Sequence, residues 1–535
     1  MSREAEPPIL DDMTAVDAPQ PAEAGTDEPP LFWTLADHTD QPSSALFESM
    51  WIEPFNRGFA EGFARYGVLA AGIRGQIIDG WLYMAFVPLT EPAAFGERIG
   101  YLQSTDVLAD LRAAAEAALG RLPEYEARRR SLGANLESLT DEELSLRVGQ
   151  IADAAGEFVV ERFAGVPISA LGGEFGLAAE EAGLDPEAAF NELGPVAASV
   201  AMAASLGGVA AAIERESPAL AERLRSGRPV AFEELAAIGD VDRRLDEDRD
   251  LLLATSLSVP TLGERPELVV DLLRRYLARR PTVDGSGPGM LPESMASRAE
   301  GARLAHRWRD ETGRAIVLWL GLVRRAALEA GRRLSVMGTL AEADDVLHLT
   351  VDELSSALVS GEDQRPLAGE RANAFANAPK TPPAAVGTPP SGPPPGADQL
   401  PPAAQRHMRR VQWYTARLGP DPRPTTGDPS ELVGVGAAPG TQEGRARIVD
   451  GPDDFASIDD GDIIVCSTTS PMWNAVLALA SAVVCETGGF VSHAALIARE
   501  LGIPAVVGVA GARGRIADGS MVRVDGSAGR VDLIG

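Results

Sequence analysis

The stretch Glu486–Gly508, ETGGFVSHAALIARELGIPAVVG, constrains this chain more than any other. A short apolar run, Ala482 to Cys485, reads as a strand that ends at Thr487, Gly488 and Gly489. Paired glycines permit a tight turn and close approach of another group to the backbone. A helix is predicted to start near Val491, which places Ser492 and His493 in its first turn. First-turn N–H groups have no partners inside the helix and carry the positive end of the macrodipole. A phosphate on His493 would meet both, and imidazole is a competent nucleophile toward phosphorus near neutral pH. The arrangement suits a transient phosphohistidine. An arbitrary histidine is more commonly a helix cap or a satisfied surface group, so the flanking residues have to separate the two readings.

Residues 1–30 are rich in Pro, Glu, Asp and Ala and read as a disordered acidic tail. From Phe32 aromatics accumulate, and Phe55, Phe59 and Phe63 fall on one helical face. Trp33, Trp51, Trp81 and Tyr83 could line an acceptor pocket, although such a set is more often core. Ala70 to Val87 reads as two strands around a turn at Asp79 and Gly80. Beyond it, Ala, Leu, Glu and Arg at helical spacing predict helices at about 105–119, 141–163, 196–214, 217–226, 244–257, 265–279, 294–335 and 350–359. Residues 31–360 are therefore expected to form one mainly helical domain with a small strand pair. Residues 361–431 read as a proline-rich linker, an extended spacer with a short helix near 401–417. From 432 to 535 short strands at 443–449, 462–467, 482–485, 505–508, 521–525 and 529–533 alternate with helices at 471–480 and 491–501. That alternation predicts a compact α/β domain. The expected fold class is thus multidomain, α followed by α/β.

Gly488, Gly489, Ser492, His493, Ala498, Arg499, Glu500, Gly502, Ile503, Pro504, Ala505 and Val506 together resemble the phosphohistidine signature of the PEP-utilizing enzymes. That family includes pyruvate phosphate dikinase, PEP synthase, enzyme I of the sugar phosphotransferase system and rifampicin phosphotransferase. Gly434 to Val449 is similar to the family's opening strand and glycine turn, and Thr468 to Val484 to its Thr-rich segment. Gly331 to Leu354 resembles, more weakly, the end of the helical substrate-binding domain in the rifampicin phosphotransferase and PEP synthase branch. The resemblance implies a swivelling C-terminal β/β/α phosphohistidine domain. It implies His493 as the catalytic residue, with Gly488, Gly489, Ser492, Arg499 and Thr468 supporting the phosphate. Arg499 is either a phosphate contact or a salt-bridge partner. Ser492 either caps the helix or binds the phosphate, and Ser470 is a further candidate beside Thr468.

Composition narrows the remaining classes. A formal net charge of −30 argues against nucleic acid and anionic membrane surfaces as partners. The single lysine, Lys380, lies among prolines, so no Walker-type loop is present. Cys466 and Cys485 make neither a disulfide framework nor a zinc cluster and fit a reducing cytosol. Cys485 is expected in the core. The N-terminus lacks the pattern of a secretory signal, and the expected location is cytoplasmic. Leu193 to Ile213 is uncharged but built from small residues, which suits a buried helix better than a membrane span. His38, His306, His348 and His407 have no metal-ligand spacing, so no metal site is predicted.

The expected function is a phosphotransferase component. His493 takes a phosphoryl group from Mg-ATP, or PEP, bound by a partner ATP-grasp protein, and delivers it to a small-molecule acceptor held by the helical domain. Neither an ATP-grasp domain before residue 31 nor a PEP-binding barrel after residue 535 is expected. The alternative is a non-catalytic or regulatory subunit that keeps the phosphohistidine fold.

Overall fold

The computed structural model describes residues 31–36, 41–193, 201–254, 256–278, 291–389, 397–418, 431–469 and 473–534. The predicted acidic tail, His38 and Ser470 lie outside them. A large helical region precedes a strand-rich C-terminal region, as the sequence predicts.

The helical region is organised around one helix, Ala296–Val336, of 41 residues. At 1.5 Å per residue it is about 60 Å long. Its middle third, Ile316 to Ala327, is almost wholly buried, with Trp319 1% exposed. Helices Val107–Gly133 and Asp141–Ala164 pack against it, and Ala45–Arg65 packs in turn on Asp141–Ala164. Thr140 and Glu143 start the last of these with a reciprocal capping box. The stripe of Phe55, Phe59 and Phe63 meets Phe163 on that helix. Close approach of the two helices needs glycine: a Cβ on Gly62 would sit 2.2 Å from the Ala164 carbonyl oxygen.

The structure departs from the sequence expectation in two helices. Val107–Gly133 runs on past the predicted end near 119, through Pro123, because its far end is held by tertiary contacts. Arg129, 3% exposed, bonds Asp250 at 2.6 Å. The helix predicted at 244–257 is instead Gly239–Asp248. Leu251 to Leu253 then turn inward, and Leu252 bridges Thr261. Asp250 also accepts from Arg325 at 2.6 Å, which joins this buried loop to the long helix.

A small sheet flanks the helices in the order β2-β3-β1-β4, with β1 (Trp33–Leu35), β2 (Gly72–Ile78), β3 (Trp81–Val87) and β4 (Ala385–Val386). Asp79 and Gly80 both have positive φ, as a tight two-residue hairpin requires. Trp33, Trp81, Tyr83 and Val386 form its core, and Trp51 is buried in the main core. All four candidate pocket aromatics are therefore packing residues.

Within the segment read as a linker, Pro402–Thr415 is a helix, as expected near 401–417, and the helix Arg365–Ala376 and the pairing of β4 with β1 add to that reading. Trp81 Nε1 donates to the Pro379 carbonyl at 2.9 Å, and the Tyr83 hydroxyl to that of Pro383 at 2.7 Å. Proline-rich composition hides this, because the attachment uses carbonyls that proline retains.

The C-terminal sheet has eight strands: β5 (Leu432–Val433), β6 (Val435–Ala438), β7 (Thr441–Val449), β8 (Ile463–Cys466), β9 (Ala482–Cys485), β10 (Ala505–Val507), β11 (Met521–Asp525) and β12 (Arg530–Leu533). Their order is β5-β12-β11-β7-β8-β9-β10-β6, and β7 to β10 run parallel. Every residue of β8, β9 and β10 is buried, as expected for parallel strands covered on both faces. Among the described residues no helix is long and apolar enough to cross a membrane.

The Asp250→Ala variant leaves Arg129 and Arg325 without their shared carboxylate. It is expected to destabilise the chain by about 3–5 kcal/mol, read as a lower denaturant midpoint of the intact protein.

Candidate functional site

His493 is the first residue of the helix His493–Leu501, which connects β9 to β10. Its N-terminus therefore lies at the carboxyl ends of the parallel strands, where ligands of open α/β sheets bind. Gly488 has φ +96, and a Cβ there would lie 2.9 Å from Ser492 Oγ. The turn needs glycine at this point. Gly502, at φ +67, ends the helix before Pro504.

Cys466 and Cys485 are register partners at the ends of β8 and β9, so the loops leaving both strands emerge side by side. From the first comes Thr469, from the second His493. Thr469 Oγ1 lies 2.9 Å from His493 Nδ1. When Nδ1 carries the proton and donates it to Thr469, Nε2 keeps the lone pair and is the nucleophilic nitrogen. The hydroxyl can donate or accept, so the bond orients the ring in either tautomer. The sequence expectation fell on Thr468 and Ser470, the two neighbours of this residue. Thr468 is half-buried with no hydrogen bond among the described residues. The signal that could have found Thr469 is the hydroxyl-rich run directly after an apolar strand adjacent to β9.

Ser492 occupies the N-cap position, yet its side chain makes no capping bond, and its Oγ is buried without a partner. Arg499 makes no ion pair among the described residues. Its Nε donates to Asn191 Oδ1 and its Nη2 to the Phe490 carbonyl, each at 2.7 Å. The guanidinium lies 3.6 Å from the Phe490 ring centre. Burial pushes its pKa down to about 9, with the nearby Arg309 acting in the same direction. The salt bridge considered from sequence is replaced by an amide, a carbonyl and an aromatic face.

The helical region grips the histidine loop directly. Gly489 N–H donates to the Leu418 carbonyl at 2.9 Å and Val491 N–H to that of Arg417 at 3.1 Å. Arg309 Nη1 donates to the Val491 carbonyl at 2.7 Å and to the Tyr414 hydroxyl at 3.2 Å. Phe190 meets Phe490 edge-on at 5.9 Å. Nothing in the sequence links Asn191, Arg309 or Tyr414 to the motif, because these contacts span some 70 to 310 positions.

Cys466 and Cys485 are fully buried free thiols with Sγ atoms 3.4 Å apart. The mutual hydrogen bond and burial push the Cys466 thiol up, so it stays protonated and packs as core. His306 and His407 are buried, and among the described residues no cluster of ligating side chains could hold a metal. A cleft of about 230 Å³ opens between the helices Ala45–Arg65, Val107–Gly133 and Asp141–Ala164. Tyr66, Arg121, Tyr125, Glu161 and Trp308 line it.

The histidine thus stands at the amino end of a helix, within hydrogen-bond distance of a threonine that follows the neighbouring parallel strand. Residues 458–529 match the family model of the PEP-utilising enzyme mobile domain. The segment that carries the site is thus similar to the mobile domain of the PEP-utilising enzymes. It is 31% identical over 314 residues to the chondramide synthase cmdD of Chondromyces crocatus, covering 52% of this chain and 8% of that one. It is 30% identical over 212 residues to the uncharacterized phosphotransferase YvkC of Bacillus subtilis, covering 39% and 23%. It is 43% identical over 102 residues to the rifampicin phosphotransferase of Bacillus subtilis, covering 19% and 12%. The matches span less than a quarter of each of these relatives.

Replacing Thr469 by Val removes the partner of Nδ1. In ¹⁵N-resolved NMR the His493 ring of the wild type is expected to hold its neutral-form proton on Nδ1. The variant is expected to shift toward the Nε2-protonated form.

Proposed function

We propose that this chain is the phosphocarrier component of a phosphotransferase. His493 accepts a phosphoryl group from Mg-ATP bound on a partner ATP-grasp protein and passes it to a small-molecule acceptor held by the helical domain. The observation that carries this reading is the Thr469–His493 bond at the amino end of the helix, inside the family-matched segment. In the first step Nε2 attacks the donor phosphorus, the N–P bond forms, and the bond to the leaving oxygen breaks. In the second an acceptor hydroxyl attacks, the N–P bond breaks, and the hydroxyl proton is released. Phosphoryl transition states are loose, so catalysis rests on positioning and charge stabilisation. Thr469 aligns the ring, Gly488 and Gly489 shape the turn, and the first-turn N–H groups and Arg499 offset phosphate charge. Ser492 Oγ, buried and unbonded, is a further donor.

Moving between donor and acceptor requires the mobile domain to leave the helical one. The contacts to be released are hydrogen bonds, the Arg265–Asp453 ion pair at 2.8 Å, the Phe190–Phe490 ring pair and apolar packing of Phe455, Trp473 and Val476 on the helical region. The cleft near Trp308 is the candidate acceptor site. Tyr66, Tyr125 and Glu161 in its lining offer hydrogen bonds to a hydroxylated compound.

Intact mass spectrometry under non-acidic conditions, with magnesium and ATP or PEP and with or without host extract, tests the reading. A gain of one phosphate on the wild type, present only with extract and absent from His493→Ala, is expected. Equal labelling of the two proteins would refute it. Thr469→Val is expected to slow labelling by about ten- to a hundredfold without abolishing it.

A further inference from the structure

The Thr469–His493 bond requires the loops after β8 and β9 to leave the sheet side by side, and one side chain holds both exits. Val449, Cys466 and Cys485 form a register row across β7, β8 and β9. The next residues along the three chains are Asp450, Ser467 and Glu486. Pairing continues past the strand ends. Glu486 N–H donates to the Cys466 carbonyl at 3.0 Å, and Thr487 N–H to that of Ser467 at 2.9 Å. The Thr487 hydroxyl donates to the same Ser467 carbonyl at 2.9 Å.

Arg513 closes this edge. Its Nε donates to Glu486 Oε2 at 2.7 Å and its backbone N–H to Glu486 Oε1 at 3.0 Å. Its Nη1 donates to Asp450 Oδ1 at 2.6 Å. Asp450 follows β7 and Glu486 follows β9, so the guanidinium reaches across the end of β8, which lies between them. Neighbouring strands are about 4.8 Å apart. The forked arginine head can hold a carboxylate on either side of the middle strand, which a compact ammonium does poorly. Ser467, in the middle of the row, is two residues before Thr469, and Glu486 is seven before His493.

Arg513 works from the far side of the sheet. Ala512 and Ile516, which flank it, pack with Ile463, Val465, Ala482 and Val484. Ala494, Ala495 and Ile497 of the His493 helix pack with Ile464, Cys466, Val483 and Cys485 on the opposite face. Its influence on the imidazole therefore passes through the backbone of the two loops. Partly exposed ion pairs contribute little to stability, and the buried strands hold the sheet without this one. What the strap adds is a fixed exit for both loops. We infer that Arg513 is a positioning residue: through Glu486 and Asp450 it clasps the ends of β7 and β9 around β8 and so holds Thr469 against His493. The effect on the ring stands on this geometry alone, whereas the effect on phosphoryl transfer rests on the function proposed above. Small displacements of a reacting group are felt strongly in rate, so a strap of little weight in stability carries weight in transfer.

A double-mutant cycle on the full chain tests this. Arg513→Met is expected to slow labelling of His493 by ATP and host extract about tenfold, and Arg513→Lys to recover part of that loss. In a Thr469→Val background Arg513→Met is expected to add no more than about twofold, because the bond through which the strap acts is already gone. Asp450→Ala removes the outer anchor, 68% exposed, and leaves Glu486 in place. It carries the same readouts should Arg513→Met not fold. Without any phosphoryl chemistry, the ¹⁵N shifts of the His493 ring in Arg513→Met are expected to move toward those of Thr469→Val. Ring shifts unchanged in both Arg513→Met and Asp450→Ala overturn the inference, as does equal slowing with and without Thr469. If the wild type takes no label while its ring shifts still respond to Arg513→Met, the phosphocarrier reading falls and the positioning role stands.

Discussion

The parallel pairing of β8 with β9 is the constraint on which the candidate site depends. Cys466 and Cys485 face each other at the ends of these strands. The chain therefore leaves both strands at the same edge of the sheet, and a threonine and a histidine 24 positions apart come within hydrogen-bond distance. Both faces of these strands are packed, Ile464, Cys466, Val483 and Cys485 on one side and Ile463, Val465, Ala482 and Val484 on the other, so a one-residue slip would exchange the side chains of two different packed layers. That packing holds the register, and the register positions the imidazole. The two thiols contribute as packing groups beneath the site.

The second organising feature is the seam between the histidine loop and the helical region. It joins backbone groups of the loop to carbonyls at the end of the Pro402–Thr415 helix, and one arginine of the long helix to the carbonyl of Val491. Beside these directional contacts the two regions share apolar packing, with Phe455, Trp473, Val476 and Leu477 in one buried cluster with the helical core.

Much of this was legible in the residues. The glycine pair, the histidine and the strand-forming Ile-Pro-Ala-Val run carry their own local geometry, because turns, helix starts and buried strands are short-range phenomena. The long helix and its neighbours were legible from apolar spacing. Illegible were elements whose identity depends on a distant surface. Val107–Gly133 continues through Pro123 because of Arg129 and Asp250. Ala385–Val386 becomes a strand because β1 offers it an edge. The choice of Thr469 over Thr468 depends on which hydroxyl points at a ring on another strand.

The amino-acid sequence by itself determined the character of the C-terminal domain, the position of its helix-starting histidine and the helical nature of what precedes it. Each rests on patterns confined to a few turns or strands. Only the tertiary structure decided which hydroxyl meets the imidazole, that Arg499 faces an amide and an aromatic ring, and that Asn191 and Arg309 reach the C-terminal domain. Those facts depend on how separate elements pack. Packing is settled by burial and register summed over the whole fold, which no local stretch of sequence contains.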